Sequence, residues 1–147
     1  MNIIKKLFFI CLILFTFYGC NDREAEEILQ AHIFEKHDDL MKKGEIIMQN
    51  KESLNKLLAS SANADSASAS LDTEKFHQNV NTLNQELTQA DEAMMNWMKN
   101  FDPGTEGKTH EQIMASLNKQ QESLLKVEVQ TDKALEKSNA FLKQYAK

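Results

Sequence analysis

The chain has 147 residues, 41% of them apolar and 27% charged, with a net charge of −5. That is enough for one domain with a thin core, and the acidic balance argues against nucleic acid as a partner. A single proline, four glycines and few clustered β-branched residues exclude a sandwich or barrel, which needs turn chemistry every ten residues or so; the class left is all-α.

The apolar residues are unevenly spread. Fourteen of the nineteen residues Met1 to Gly19 are apolar, against 47 of the 128 that follow. Lys5 and Lys6 precede a run from Leu7 to Phe17 that only Thr16 interrupts, the pattern of a signal peptide over 1–19. The run is shorter than the roughly 20 apolar residues that span a bilayer. It ends Phe17-Tyr18-Gly19-Cys20, which resembles the lipobox of bacterial lipoproteins, although Phe17 and Tyr18 are bulkier than that motif prefers. The resemblance implies cleavage between Gly19 and Cys20 and a diacylglyceryl group on the Cys20 thiol, with the new amino terminus acylated as well. The alternative is a signal cleaved for free secretion. It strands Cys20, because the only other cysteine, Cys11, lies in the removed segment. At about 0.8 kcal/mol per buried methylene, two or three acyl chains hold a protein at a membrane without a transmembrane helix. Residues 20–147 carry 15 Lys and Arg against 22 Asp and Glu, a net charge of −7, so lipid rather than charge is the expected attachment. The expected location is the cell envelope, at the outer membrane, with either face open.

Residues 20–27 read as a tether and residues 28–147 as a helical domain. Within the first helical stretch, Asp22 to Leu58, apolar residues recur at three- and four-residue steps through Ile33, Leu40, Ile47 and Leu54, interrupted by His37, Gly44 and Lys51. Residues 59–71 are almost all Ala, Ser, Asn and Asp and predict a flexible linker. The second stretch has a nearly unbroken heptad seam, Phe76, Val80, Leu83, Leu87, Ala90, Met94, Trp97 and Phe101. Asp102-Pro103-Gly104 ends it. Thr109 and Gln112 then fit a capping box for a third stretch through Ile113, Leu117, Leu124, Val127, Thr131, Leu135, Ser138, Phe141 and Tyr145. Helices this long with one apolar stripe each need one another. The economical arrangement is an antiparallel three-helix bundle with coiled-coil-like packing, a long helical hairpin plus a third helix. The polar seam members point to a partner helix, from another protein or a second copy, or to a first helix that packs loosely.

Little of the sequence carries chemistry. Glu74 and His77 have the Glu-x-x-His spacing of carboxylate-bridged di-metal bundles, but the second copy such sites need is absent. Glu74, His77 and His37 therefore form only a weak alternative metal set. No Gly-rich phosphate loop, nucleophile elbow or Cys-x-x-Cys is present, and no convergent catalytic set can be named, so neither enzymatic activity nor a cofactor is expected. Met94, Met95, Trp97, Met98 and Phe101 form the densest apolar cluster. They fit a partner-binding surface, although such a cluster more often fills one end of a bundle near a turn. His37 is expected to pack near Trp97 or to pair with a carboxylate, and Gly44 to admit a close helix approach, at about 1 kcal/mol of helix propensity relative to Ala.

The segments His37-Asp38-Asp39-Leu40-Met41-Lys42-Lys43-Gly44-Glu45-Ile46 and Ala90-Asp91-Glu92-Ala93-Met94-Met95-Asn96-Trp97-Met98-Lys99-Asn100-Phe101 resemble two segments of small helical lipoproteins from Bacteroidota, often labelled as similar to viral A-type inclusion protein. The resemblance implies an envelope lipoprotein with a helical-hairpin core, and it brings no residue-level function. The leading expectation is a lipid-anchored scaffold or interaction module without catalytic activity. The alternative is an envelope lipoprotein that binds a metal or small ligand in the bundle interior. Replacing Cys20 with Ser is expected to move the protein out of the membrane fraction in cell fractionation; a variant that stays there would overturn the lipid assignment.

Overall fold

The computed structural model of the chain describes residues 18–64 and 71–145. The protein is an all-α bundle of three helices, α1 (Tyr18–Ala64), α2 (Leu71–Asn100) and α3 (His110–Tyr145), all in mutual contact. No described helix is long and apolar enough to cross a membrane. The signal peptide expected at 1–19 lies outside the described residues apart from the helical backbone at Tyr18 and Gly19, and the Cys20 side chain is likewise outside them.

The direction of each helix follows from the pairs it makes. Asn55 meets Asn84, and His37 meets Trp97, so α2 runs antiparallel to α1. Trp97 meets the backbone of Gln120, and Lys137 meets Glu86, so α3 runs antiparallel to α2. Glu26 meets His110, Lys36 meets Glu128 and Asn50 meets Ser138, which makes α1 and α3 parallel.

The core of α1 is Ile33, Leu40, Ile47 and Leu54, seven residues apart and almost completely buried. Each such side chain contributes about 1.5–3 kcal/mol. The expected loose packing of this helix is therefore corrected: His37, Gly44 and Lys51 lie beside the buried line and do not break it. Two apolar clusters follow along the axis. One gathers Ile33, Leu40, Met94, Trp97, Ile113, Leu117, Leu124 and Val127; the other gathers Ile47, Leu54, Val80, Leu83, Leu87, Ala90, Ala134 and Leu135. Between α1 and α3 a small polar layer is buried. The Asn50 amide donates to Ser138 Oγ at 2.9 Å and to Asn139 Oδ1 at 2.8 Å, and Ser138 donates to the Leu135 carbonyl at 3.1 Å.

The connection after α2 is built as its residues predict. Asp102 accepts from the Gly104 amide at 2.9 Å and from Lys108 Nζ at 3.0 Å. The Lys108 ammonium and the Gly104 amide hold the Asp102 carboxyl below the usual aspartate range. Gly107 takes the left-handed conformation at φ 74°, which glycine adopts without steric cost. The capping box closes in both directions, from the Gln112 amide to Thr109 Oγ1 at 3.3 Å and from the Thr109 amide to Gln112 Oε1 at 2.9 Å.

Two expected boundaries change. The predicted helical stretch starts before Asp22, so the whole 20–27 tether is helix, and it is docked: Glu26 Oε1 lies 2.7 Å from His110 Nδ1, with Asp22 Oδ1 3.8 Å from Nε2 of the same ring. The linker predicted at 59–71 begins later, because α1 continues to Ala64. Ser60 and Ser61 donate their hydroxyls to the Lys56 and Leu58 carbonyls within the helix. Residues 65–70 lie outside the described residues.

The buried polar layer carries its own test. Asn50→Ala removes the donor to Ser138 Oγ and Asn139 Oδ1 and leaves the Ser138 hydroxyl only its bond to Leu135; it is expected to lower stability by about 1–3 kcal/mol, read as a lower urea midpoint with unchanged m-value. Exposed Gln49→Ala, next door, is expected to stay within about 0.5 kcal/mol.

Candidate functional site

Along α1 the position after each core residue is also periodic: Phe34, Met41 and Met48 recur every seven residues, 44%, 46% and 70% exposed. A side chain there is turned away from α3 and towards the flank of α2. From α2 the same flank receives Met95 and Met98, 59% and 38% exposed. Met41, Met48, Met95 and Met98 line a groove between α1 and α2 with a cavity of about 330 Å³, floored by Leu40, Ile47, Ala90, Met94 and Thr131; Phe34 continues the stripe beyond the cavity, against Phe101. Five of the seven methionines of the chain line it: Met41, Met48, Met94, Met95 and Met98.

The groove opens because three small residues face it. Gly44 on α1, Ala90 on α2 and Thr131 on α3 all line it, and a Cβ added at Gly44 would meet no atom within 4 Å. The expectation that Gly44 admits a close helix approach is thus corrected: the glycine leaves space. At both ends the bundle is filled by aromatic side chains. Phe34, Trp97 and Phe101 pack with centroid separations of 5.6 and 5.0 Å. Phe76, Phe141 and Tyr145 do so at the other end, with separations of 4.9–5.9 Å. The groove also ends in that direction, where Asn55 accepts from Asn84 at 2.9 Å and Ser61 lies 2.8 Å from His77.

The predicted partner surface is divided by this geometry. Met94, Met95 and Met98 face the groove. Trp97 is 6% exposed; it donates its indole N–H to the Gln120 carbonyl at 3.1 Å and packs against Phe101, so both aromatics serve the interior. His37 does pack on Trp97, with ring centroids 5.8 Å apart, and its Nδ1 lies 3.2 Å from Asp38 Oδ1. The weak metal set does not assemble. His37 sits in the Trp97 cluster, whereas His77 belongs to the opposite end beside Ser61 and Phe76, and exposed Glu74 accepts from Gln78 at 3.5 Å. Among the described residues no group of three or more His, Cys, Asp or Glu side chains is placed to hold a metal ion.

The carboxylates that bridge two helices on the other flanks have lysine or histidine partners, whereas among the described residues those lining the groove have none. Between α1 and α3, Glu128 faces Lys36 and Lys43, and Lys43 reaches Asp132; Lys137 joins Glu86 across α2 and α3. The Glu128 carboxylate holds the Lys36 ammonium above its usual range. At the groove, Lys42 is engaged by Asp39 at 2.9 Å, which in turn depresses the Asp39 carboxyl. Glu45 and Asp91 line the groove and have no ion pair among the described residues.

Sequence reasoning missed the α1 half of this site. The seven-residue spacing of Phe34, Met41 and Met48 was the available signal. Comparison with protein-family models, curated proteins and solved structures gives no match for this chain.

Gly44→Ala is expected to stabilise the fold by about 0.4–1 kcal/mol, because the added methyl meets open space and the helix gains propensity. Thermal unfolding followed by circular dichroism checks it; a loss of stability would show that the backbone at Gly44 is needed as glycine.

Proposed function

We propose that the protein is a lipid-anchored component of the cell envelope, held by acylated Cys20, that binds another protein through the α1–α2 groove and has no catalytic role. The observation that carries this reading is the run of exposed apolar side chains Phe34, Met41, Met48, Met95 and Met98 along one inter-helix flank. Surface apolar residues gathered into one patch mark an interaction site, and methionine lets such a patch adapt to its partner. Elsewhere the described surface has Ile28 and Ile46 exposed singly and one neighbouring pair a turn apart on α3, Leu125 and Val129. The resemblance to small helical lipoproteins of Bacteroidota agrees with an envelope location, and the lipobox-like Gly19-Cys20 supports the anchor.

A small apolar ligand is the second reading, since about 330 Å³ lies within the range of ligand pockets. The helical stripe favours a macromolecule, because it continues past the cavity to Phe34.

A photo-crosslinking amino acid placed at Met95 in intact cells of the source organism is expected to give a discrete protein adduct, absent when the same group replaces exposed Lys133 on α3. Equal labelling from both positions, or none from Met95, would remove the groove as a protein-binding site.

A further inference from the structure

Resting on the groove-binding reading above, we propose that the partner element is a basic amphipathic helix of about four turns. Its length follows from the groove. The apolar stripe runs from Phe34 to Met48, fifteen residues or about 21 Å of helix rise. Beyond it the flank is occupied by polar pairs, the Asn84 amide N–H on Asn55 Oδ1 and Ser61 with His77, with Asn84 Oδ1 buried and unpartnered among the described residues. A longer apolar helix would bury those pairs against a hydrocarbon surface.

The shape of the occupant follows from the packing. Phe34, Met41 and Met48 repeat every seven residues on α1, parallel to the core line one position away. A fourth helix with apolar residues at three- and four-residue steps meets such a stripe in the same way as the three helices meet one another. The hollow left by Gly44 and Ala90 accepts a bulky side chain at its centre.

Its charge follows from Glu45 and Asp91. They come from different helices, both line the groove, and both are without an ion pair among the described residues, while the inter-helix carboxylates Glu128, Asp132 and Glu86 have lysine partners. Lys42, the one cation lining the groove, is held by Asp39. Seating an acidic helix there would bring like charges together beside apolar surface. Lysine or arginine on the flanks of an incoming helix supplies the missing partners and steers the encounter. The same argument turns away a second copy of this acidic chain: two grooves face to face would oppose Glu45 and Asp91 with themselves.

Three labelled peptides of about fifteen residues test this by fluorescence anisotropy with the purified protein. All are helical designs: leucine on one face with lysine flanks, the same leucine face with glutamate flanks, and a scrambled lysine peptide without an apolar face. The first is expected to bind about tenfold or more tightly than the other two. Met48→Gln with Met95→Gln, two exposed and charge-neutral changes, is expected to weaken it at least as much. Glu45→Lys with Asp91→Lys is expected to transfer the preference to the glutamate peptide. Equal binding of all three peptides, no binding, or affinity unaltered by the methionine changes overturns the proposal. So does sedimentation showing a dimer that the methionine changes dissolve, which assigns the groove to a second copy. A cellular crosslink from Met95 to an acidic or non-helical partner would remove the basic helix while leaving the groove as a protein-binding site.

Discussion

The side-chain amide of Asn50 fixes the axial alignment of the two parallel helices, and much of the structure depends on that alignment. It donates to Ser138 and Asn139 from a nearly closed position, where an unmatched amide would cost about 1–3 kcal/mol. Apolar seams are permissive about sliding, since one aliphatic layer resembles the next; a single buried polar contact is not. With Asn50 seated, Lys36 and Lys43 come opposite Glu128 and Asp132. A slip of one heptad would set them against Gln121 and Leu125 instead. The same alignment brings His110 to Glu26 and Thr131 to the level of Gly44. The ion pairs themselves are partly exposed and contribute modestly to stability. Their role is to agree with the register that the buried layer sets.

The distribution of side-chain size along the axis then decides where the bundle is filled and where it is open. Aromatic groups occupy both ends, and the intervening level is narrow because Gly44, Ala90 and Thr131 offer little volume. Helices cannot bend inwards to close such a gap while bulky layers on either side hold them apart. The vacancy is therefore a consequence of the seam as a whole, and it emerges on the α1–α2 flank, where methionines from both helices line the opening. Filling it with protein from elsewhere continues the packing logic of the bundle, and it needs no rearrangement of the three helices.

How far this was legible in the sequence varied with how local the signal was. The α2 seam and the Thr109–Gln112 capping box depend on spacing within a few turns, and the structure reproduces them residue for residue. The extent of α1 was harder. Asp22 to Glu27 read as helical, but nothing local says that they dock until His110 is placed beside them, and 59–64 look like a linker because Ala and Ser pattern says nothing of where a helix stops. The seam already separates Trp97 from Met95 two residues away, but it does not say that Met95 and Met98 share a groove with residues of α1, which depends on how the two helices are rotated about their axes. Gly44 illustrates the same limit: a helical glycine permits either close approach or a hollow, and the neighbours decide. Asn50 carried no signal, because its partners are 88 and 89 residues away.

The continuity of α1 has a geometric consequence for the proposed anchor. From Cys20 to Phe34 is 14 residues of unbroken helix and from Cys20 to Met48 is 28, or about 21 and 42 Å at 1.5 Å per residue. A lipid on Cys20 would thus be joined to the groove by a stiff rod whose base is braced on α3 through Glu26 and His110, not by a flexible leash. The net charge of −7 over residues 20–147 disfavours lying flat on an anionic leaflet. With the proposed lipid on Cys20, rod and charge together would hold the groove off the membrane. A partner helix would meet it within the first few tens of ångströms of the surface, within reach of a protein anchored in the same membrane.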